Sequence, residues 1–221
     1  MLRDFTPRLY QETILATASE RNTLVVLPTG MGKTGIAMLL AVQRLKSYPN
    51  SKIVFLAPTK PLVDQHKMTF ERHLDVGNLV VFTGAVSPEK RAELWKDAKI
   101  VFSTPQGLEN DVISDKIDIS DVSLVVFDEA HRATGDYSYN FIAKQYLKKA
   151  KYPRVLALTA SPGNDLEKIN EICQNLGIED IEVRTKEDSD VRQYVKKTEF
   201  EWVPVVLPDE FYEIKKYLDH C

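Results

Sequence analysis

Seven consecutive residues, Pro28-Thr29-Gly30-Met31-Gly32-Lys33-Thr34, hold two glycines, a lysine and two hydroxyls at a spacing suited to phosphate. Gly30 and Gly32 let the backbone turn its N–H groups toward phosphate oxygens, and a following helix adds its positive dipole end. Lys33 reaches the β and γ phosphates, and the Thr34 hydroxyl ligates magnesium. All seven residues are expected to line the phosphates of ATP. Further along stands Asp128-Glu129-Ala130-His131. Its two carboxylates divide the work: Asp128 holds magnesium, usually through water, while Glu129 orients and deprotonates an attacking water. A neutral His131 is expected to couple this loop by hydrogen bonding to a third word, Thr159-Ala160-Ser161, through Thr159 and Ser161. Singly, each word also fits a blander reading, a glycine-rich turn or two solvated acids. Their order and context favour a nucleotide motor. One departure stands out: Leu27 replaces the leading glycine of the general G-x-x-x-x-G-K-[ST] pattern, which sets the chain in a variant class.

These residues need a scaffold that brings them to one place. Apolar, β-branched runs recur at residues 23–27, 52–57, 79–82, 99–103, 123–127 and 154–159, with helix-length segments between them. Several runs are apolar throughout, as expected when helices cover both faces of a sheet. The expectation is an α/β domain with a mostly parallel, doubly wound sheet. The phosphate loop then follows a strand and opens a helix through Ile36, Leu39 and Leu40, while Asp128 emerges at the carboxyl end of its own strand. Ser87-Pro88-Glu89 reads as a helix start, with a capping hydroxyl and proline at the first helical position. From Asp165, the residues Leu166, Ile169, Ile172, Cys173 and Leu176 recur at helical spacing as a core face, and Gly177 offers a stop. After about residue 181 the character changes. Charged residues dominate 184–197, a β-rich stretch covers 198–207, and Pro208-Asp209-Glu210 starts a helix expected to run to the final residue, as in a segment of a longer protein.

The 221 residues are 43% hydrophobic and 28% charged, enough for one core and ordinary for a soluble domain. No apolar run approaches the roughly 20 residues a spanning helix needs, and the start of the chain carries no secretory signal, so no membrane partner and an intracellular location are expected. The two cysteines, Cys173 and Cys221, have no partner at metal-ligand spacing, and Cys173 reads as a core thiol. His66 and His73 lie a heptad apart, but two ligands without a third make no structural metal site. A net charge of -3 argues against a general basic coat, so any nucleic acid is gripped locally.

With these motifs in order, the chain resembles the first RecA-like domain of a superfamily 2 helicase of the DEAH-box kind, over nearly its whole length. Arg8-Leu9-Tyr10-Gln11 resembles the Q motif, which implies that Gln11 hydrogen-bonds adenine and Arg8 packs near the base. Ala57-Pro58-Thr59-Lys60, with Gln65 nearby, resembles motif Ia. Thr83-Gly84 resembles the glycine segment after it, and Ser103-Thr104-Pro105-Gln106 resembles motif Ib. The resemblance implies that Pro58, Thr59, Lys60, Gln65, Thr83, Gly84 and Thr104 line a nucleic-acid track. Hydroxyls, backbone N–H groups and one lysine suit phosphate oxygens rather than base edges, so binding should ignore sequence. The alternative is that the threonines only cap helices and turns.

The wording of residues 128–139 is most similar to the archaeal Hef and Fanconi anaemia group M type, which implies an ATP-driven translocase on forked or branched DNA in replication-fork repair. It implies a nucleoid location in an archaeon or a nuclear one in a eukaryote. Relatives with a similar core act on double-stranded RNA, so an RNA helicase or RNA-dependent ATPase is the first alternative. A non-motor nucleotide-binding scaffold is the second. The family needs a second RecA-like domain that closes over ATP and supplies an arginine. No Q-x-x-G-R-x-x-R segment or E-R-K-x-x-x-D nuclease motif occurs here, and residues 1–207 fill one such domain, with 208–221 beginning a linker helix toward the second. The chain alone is therefore expected to bind ATP and hydrolyse it very slowly.

Overall fold

The apolar runs become seven parallel strands in the computed structural model, which describes residues 2–161, 163, 165–194, 203–204 and 208–218. In chain order the elements are α1 (Leu9–Glu20), β1 (Thr23–Val26), α2 (Lys33–Ser47), β2 (Lys52–Leu56), α3 (Lys60–His73), β3 (Leu79–Phe82) and α4 (Pro88–Asp97). There follow β4 (Ile100–Ser103), α5 (Pro105–Ile113), β5 (Val122–Phe127), a 3₁₀ turn (Ala130–Arg132), α6 (Ser138–Lys149), β6 (Val155–Thr159) and α7 (Leu166–Leu176). Last come β7 (Asp180–Val183), the single turn α8 (Ser189–Arg192) and α9 (Asp209–Leu218). The sheet order is β3-β4-β2-β5-β6-β1-β7, and every pairing is parallel. The mostly parallel sheet expected from the sequence is thus parallel throughout its described strands.

Alternation along each strand divides the interior into two cores. On β2, Ile53 and Phe55 join one core with Tyr10 and Ile14 of α1, Leu40 of α2 and Phe70 of α3. Val54 and Leu56 join the other with Trp95 of α4, Leu108 of α5, Tyr139 of α6 and Leu176 of α7. Both faces are covered, which explains the continuous apolar runs. Register then aligns the strand ends: Val26 pairs with Thr159, Leu56 with Phe127, and Phe127 with Ala157. The loops after β1, β2, β5 and β6 leave from one edge of the sheet.

The helix signals hold locally. Ser87 Oγ accepts from Lys90 N at 3.3 Å ahead of α4, and Asp165 Oδ1 accepts from Glu167 N at 2.9 Å ahead of α7. Gly177 ends α7 with φ +63°. Ile172 and Leu176 are buried and Cys173 is half-buried, its thiol pKa pushed up by burial. Leu166 departs from the expected core face: as the first residue of α7 it is 75% exposed. The sequence also hid β7. This strand pairs with β1 alone, and its alternation of Asp180, Ile181, Glu182 and Val183 leaves Ile181 and Val183 exposed at the sheet edge. A short edge strand lacks the apolar run that marks its central neighbours. Most of the expected β-rich stretch at 198–207 lies outside the described residues. The expected terminal helix is present as α9, with residues 219–221 outside the description.

Candidate functional site

Between β1 and α2 the chain turns on Gly30 (φ +82°) and Gly32 (φ +78°), two left-handed positions that favour glycine. Among the described residues, the N–H groups of Gly32, Lys33 and Thr34 meet no backbone acceptor, so the start of α2 presents free donors. Lys33 Nζ donates to Leu27 O at 2.8 Å, folding the side chain back over the loop that Pro28, Thr29 and Met31 complete. Burial lowers the Lys33 pKa, offset in part by the nearby Asp128 and Glu129 carboxylates. The same two carboxylates therefore stand close enough to feel the ammonium.

Helix α1 grips this loop from the side. Tyr10 Oη donates to Met31 O at 2.7 Å and receives a hydrogen bond from Arg8 at 2.9 Å. Gln11 Nε2 donates to Gly32 O at 3.1 Å, and Gln11 Oε1 accepts from Arg8 N at 2.9 Å. The Gln11 amide, assigned to adenine by resemblance, is thus already bound to the phosphate loop, with one N–H and one lone pair left free. The Arg8 guanidinium lies 5.1 Å from the centre of the Tyr194 ring, which itself stands edge-on to Tyr10.

Beyond β5, Asp128 and Glu129 occupy different surroundings. Asp128 is 5% exposed, and its Oδ2 lies 2.8 Å from His66 Nε2. Glu129, with its side chain 32% exposed, adopts a left-handed backbone at φ +51°. The other described non-glycine residues of positive φ are aspartates and an asparagine, which tolerate it better. Strain of this kind gathers at functional turns. His131 Nδ1 lies 3.3 Å from Glu129 Oε2 and 3.2 Å from Thr159 Oγ1. Since the Thr159 hydroxyl donates to Ser161 O at 2.9 Å, the proton between His131 and Thr159 sits on Nδ1. The second and third words of the sequence meet here.

The loops after β3, β4 and β2, three neighbouring strands, carry the residues of the expected nucleic-acid track. Thr59 and Thr104 stand at the N-caps of α3 and α5, yet neither side chain makes a capping hydrogen bond. The capping alternative therefore does not account for either hydroxyl, and two helix N-termini remain open to anions. Thr59, Lys60, Gln65 and Gly84 are exposed, and Pro58 and Thr104 are half-exposed. Thr83 departs from the expectation: it is buried, and its carbonyl accepts from Val86 N to close the turn, so only Gly84 of that pair meets solvent.

The family model described as DEAD/DEAH box helicase matches residues 8–169, from the loop ahead of α1 into α7. The chain belongs to the DEAD/DEAH box helicase family. This helicase sequence is 43% identical over 216 residues to a Methanocaldococcus jannaschii protein provisionally named an ATP-dependent RNA helicase, covering 97% of this chain and 27% of that one. It is 38% identical over 217 residues to the Drosophila melanogaster DEAD-box ATP-dependent DNA helicase Fancm, covering 96% and 15%. The crystal structure of the Pyrococcus furiosus Hef helicase domain matches with a TM-score of 0.86 at 52% identity, over 96% of this chain and 45% of that one. The helicase chain is thus of the superfamily 2 type that includes Hef and Fancm. It spans about a quarter or less of the curated relatives named here.

Three residues of the candidate site make contacts that their sequence positions do not announce. Tyr10 was hidden inside the Q-motif wording, although its phenol holds Met31 O. Tyr139 Oη donates to Asp128 O at 2.7 Å and fixes the end of β5. His66 lies between Thr34 and Asp128, with Nδ1 3.2 Å from Thr34 Oγ1. Its spacing with Val63 and Phe70 on the buried face of α3 was a visible signal of burial, not of its partners.

Proposed function

We propose that this chain is the ATP-binding half of an ATP-dependent DNA helicase or translocase that works on forked or branched DNA in replication-fork repair. The observation that supports it most is the meeting of Lys33, Thr34 and Asp128 at the sheet edge that also carries the open N-termini of α3 and α5. In this reading the glycine loop's N–H groups and Lys33 bind the phosphates of ATP, and Arg8 and Gln11 face the base. Thr34 and Asp128 offer hard oxygen donors on either side of one imidazole, a donor type that suits magnesium. Magnesium bound with ATP neutralises charge on the phosphates. Glu129 orients the attacking water and takes its proton. The Glu129–His131–Thr159 contacts carry the change on to Ser161, where a partner domain can sense it.

Residues 1–207 then form RecA-like domain 1, and 208–221 begin the linker toward domain 2 of the same polypeptide. Closure of that second domain supplies an arginine worth about 10³ to 10⁵ in rate, and opening after hydrolysis moves the nucleic acid. Pro58, Thr59, Lys60, Gln65, Gly84 and Thr104 grip backbone phosphates, so affinity falls by about 0.7 to 0.9 log units per phosphate for each tenfold rise in salt. Among the described residues no helix is long and apolar enough to cross a membrane. The proposed setting is the nucleoid of an archaeon or the nucleus of a eukaryote.

A second reading, a helicase acting on RNA, is favoured by the name of the Methanocaldococcus jannaschii relative. The test is ATP turnover by this chain and by the longer protein, each with forked DNA, with duplex RNA and with neither. Turnover that appears only in the longer protein and only with forked DNA is the expected result. Stimulation by RNA alone selects the second reading, and full turnover by this chain without nucleic acid overturns both, as would a non-motor module that ignores nucleic acid altogether.

A further inference from the structure

His66 is buried on α3, its ring 4.3 Å centre to centre from that of Phe55. Each of its nitrogens meets an oxygen of the proposed magnesium site: Nε2 lies 2.8 Å from Asp128 Oδ2, and Nδ1 lies 3.2 Å from Thr34 Oγ1. The hydrogen positions follow from the partners. A carboxylate only accepts, so Nε2 carries the proton and donates to Asp128. When the ring carries no second proton, its bare Nδ1 accepts the Thr34 hydroxyl hydrogen across the 3.2 Å contact. With that hydrogen turned toward His66, the lone pairs of Thr34 Oγ1 are free for a cation. With Oδ2 engaged by His66, Oδ1 is the oxygen Asp128 would offer toward a cation. One imidazole thereby sets the rotor of a hydroxyl and the orientation of a carboxylate that come from different elements, α2 and the end of β5.

We propose that His66 is the positioning residue of the magnesium site, fixing Thr34 and Asp128 before the cation arrives. The inference rests on the proposed nucleotide site and adds a residue to it. A histidine that merely filled the core would act through ring shape and contact with Phe55. A positioning histidine acts through one donated and one accepted hydrogen bond, a pair that a glutamine amide reproduces and a phenyl ring does not.

The test compares His66→Phe, which keeps an aromatic ring against Phe55, with His66→Gln, which keeps a donor and an acceptor. Affinity for a fluorescent, slowly hydrolysed ATP analogue is titrated with excess magnesium and again in EDTA, and thermal melting reports folding. In the unaltered protein magnesium strengthens binding. In His66→Phe the ratio of the two affinities should fall by roughly 10 to 100-fold, the usual effect of losing a hydrogen-bond partner behind metal ligands. In His66→Gln it should stay within about threefold of the unaltered ratio, even if melting falls further than in the phenylalanine variant. A phenylalanine variant with an unaltered ratio overturns the proposal. So does a folded glutamine variant that behaves like phenylalanine. Lys33→Ala is the control on the underlying reading: if it binds the analogue as well as the unaltered protein does, the nucleotide site is wrong, and the role of His66 falls with it.

Discussion

At Gly32 the backbone has φ +78°, and a Cβ placed there would lie 2.5 Å from Gln11 Nε2. Two separate demands therefore fall on one residue: a left-handed backbone and room for the Gln11 amide to reach Gly32 O. Gly30 shares the first demand but not the second, since nothing lies within 4 Å of its Cβ direction. Gly32→Ala should lose the Gln11 contact, weaken binding of a fluorescent ATP analogue by at least about tenfold, and destabilise the fold by about 1 to 2 kcal/mol. Gly30→Ala should show the smaller effect, and equal losses at the two sites would contradict the role given to Gln11. The glycines, Lys33, Asp128 and Glu129 were legible in the sequence because each has a chemistry that its type announces. Tyr10, His66 and Tyr139 were not, because a phenol or imidazole becomes functional only through the atom it happens to meet.

Between α4 and α5 lies a buried ion pair, Arg91 with Asp111, in which the guanidinium Nη2 bonds Asp111 Oδ1 at 2.7 Å. Arg91 also donates to Val86 O, in the loop that carries Gly84. The pair ties two helices and one strand-end loop together. Removing one partner leaves a charge in the interior, so Asp111→Ala should destabilise the protein by about 3 to 5 kcal/mol in urea unfolding. A loss below about 1 kcal/mol would mean that the guanidinium finds water or another partner. Elements of the central sheet were readable as apolar runs because helices bury both of their faces. The edge strand β7 was not, because a strand with one neighbour and an exposed face needs no such run. The caps at Ser87 and Asp165 were readable because capping is local, decided within three residues.

For the molecule as a whole, two buried phenols tie stability to pH. Burial raises the pKa of Tyr139 well above its ordinary value near 10, and burial likewise raises that of Tyr146. An acid whose pKa is raised by folding contributes its full stabilisation below the unfolded value near 10 and loses it as pH climbs beyond. Urea unfolding should therefore give a steady stability from about pH 8 to 9.5 and a decline above about pH 10. Tyr139→Phe should cost about 1 to 2 kcal/mol at the lower pH, through the bond to Asp128 O, and should flatten the alkaline decline. An identical alkaline slope in that variant would show that Tyr139 ionises as freely folded as unfolded. By itself the sequence determined the α/β class, the order of the motifs and the presence of residue types suited to phosphate and metal, because periodicity, glycine and charge act along the chain. The tertiary structure alone decided the strand order that sets β3, β4 and β2 beside β5, β6 and β1. It also decided the withdrawal of Thr83, the engagement of Gln11 by the phosphate loop and the meeting of Thr34, His66 and Asp128. Those depend on crossovers and packing between segments far apart in sequence, and no local pattern records which of them will touch.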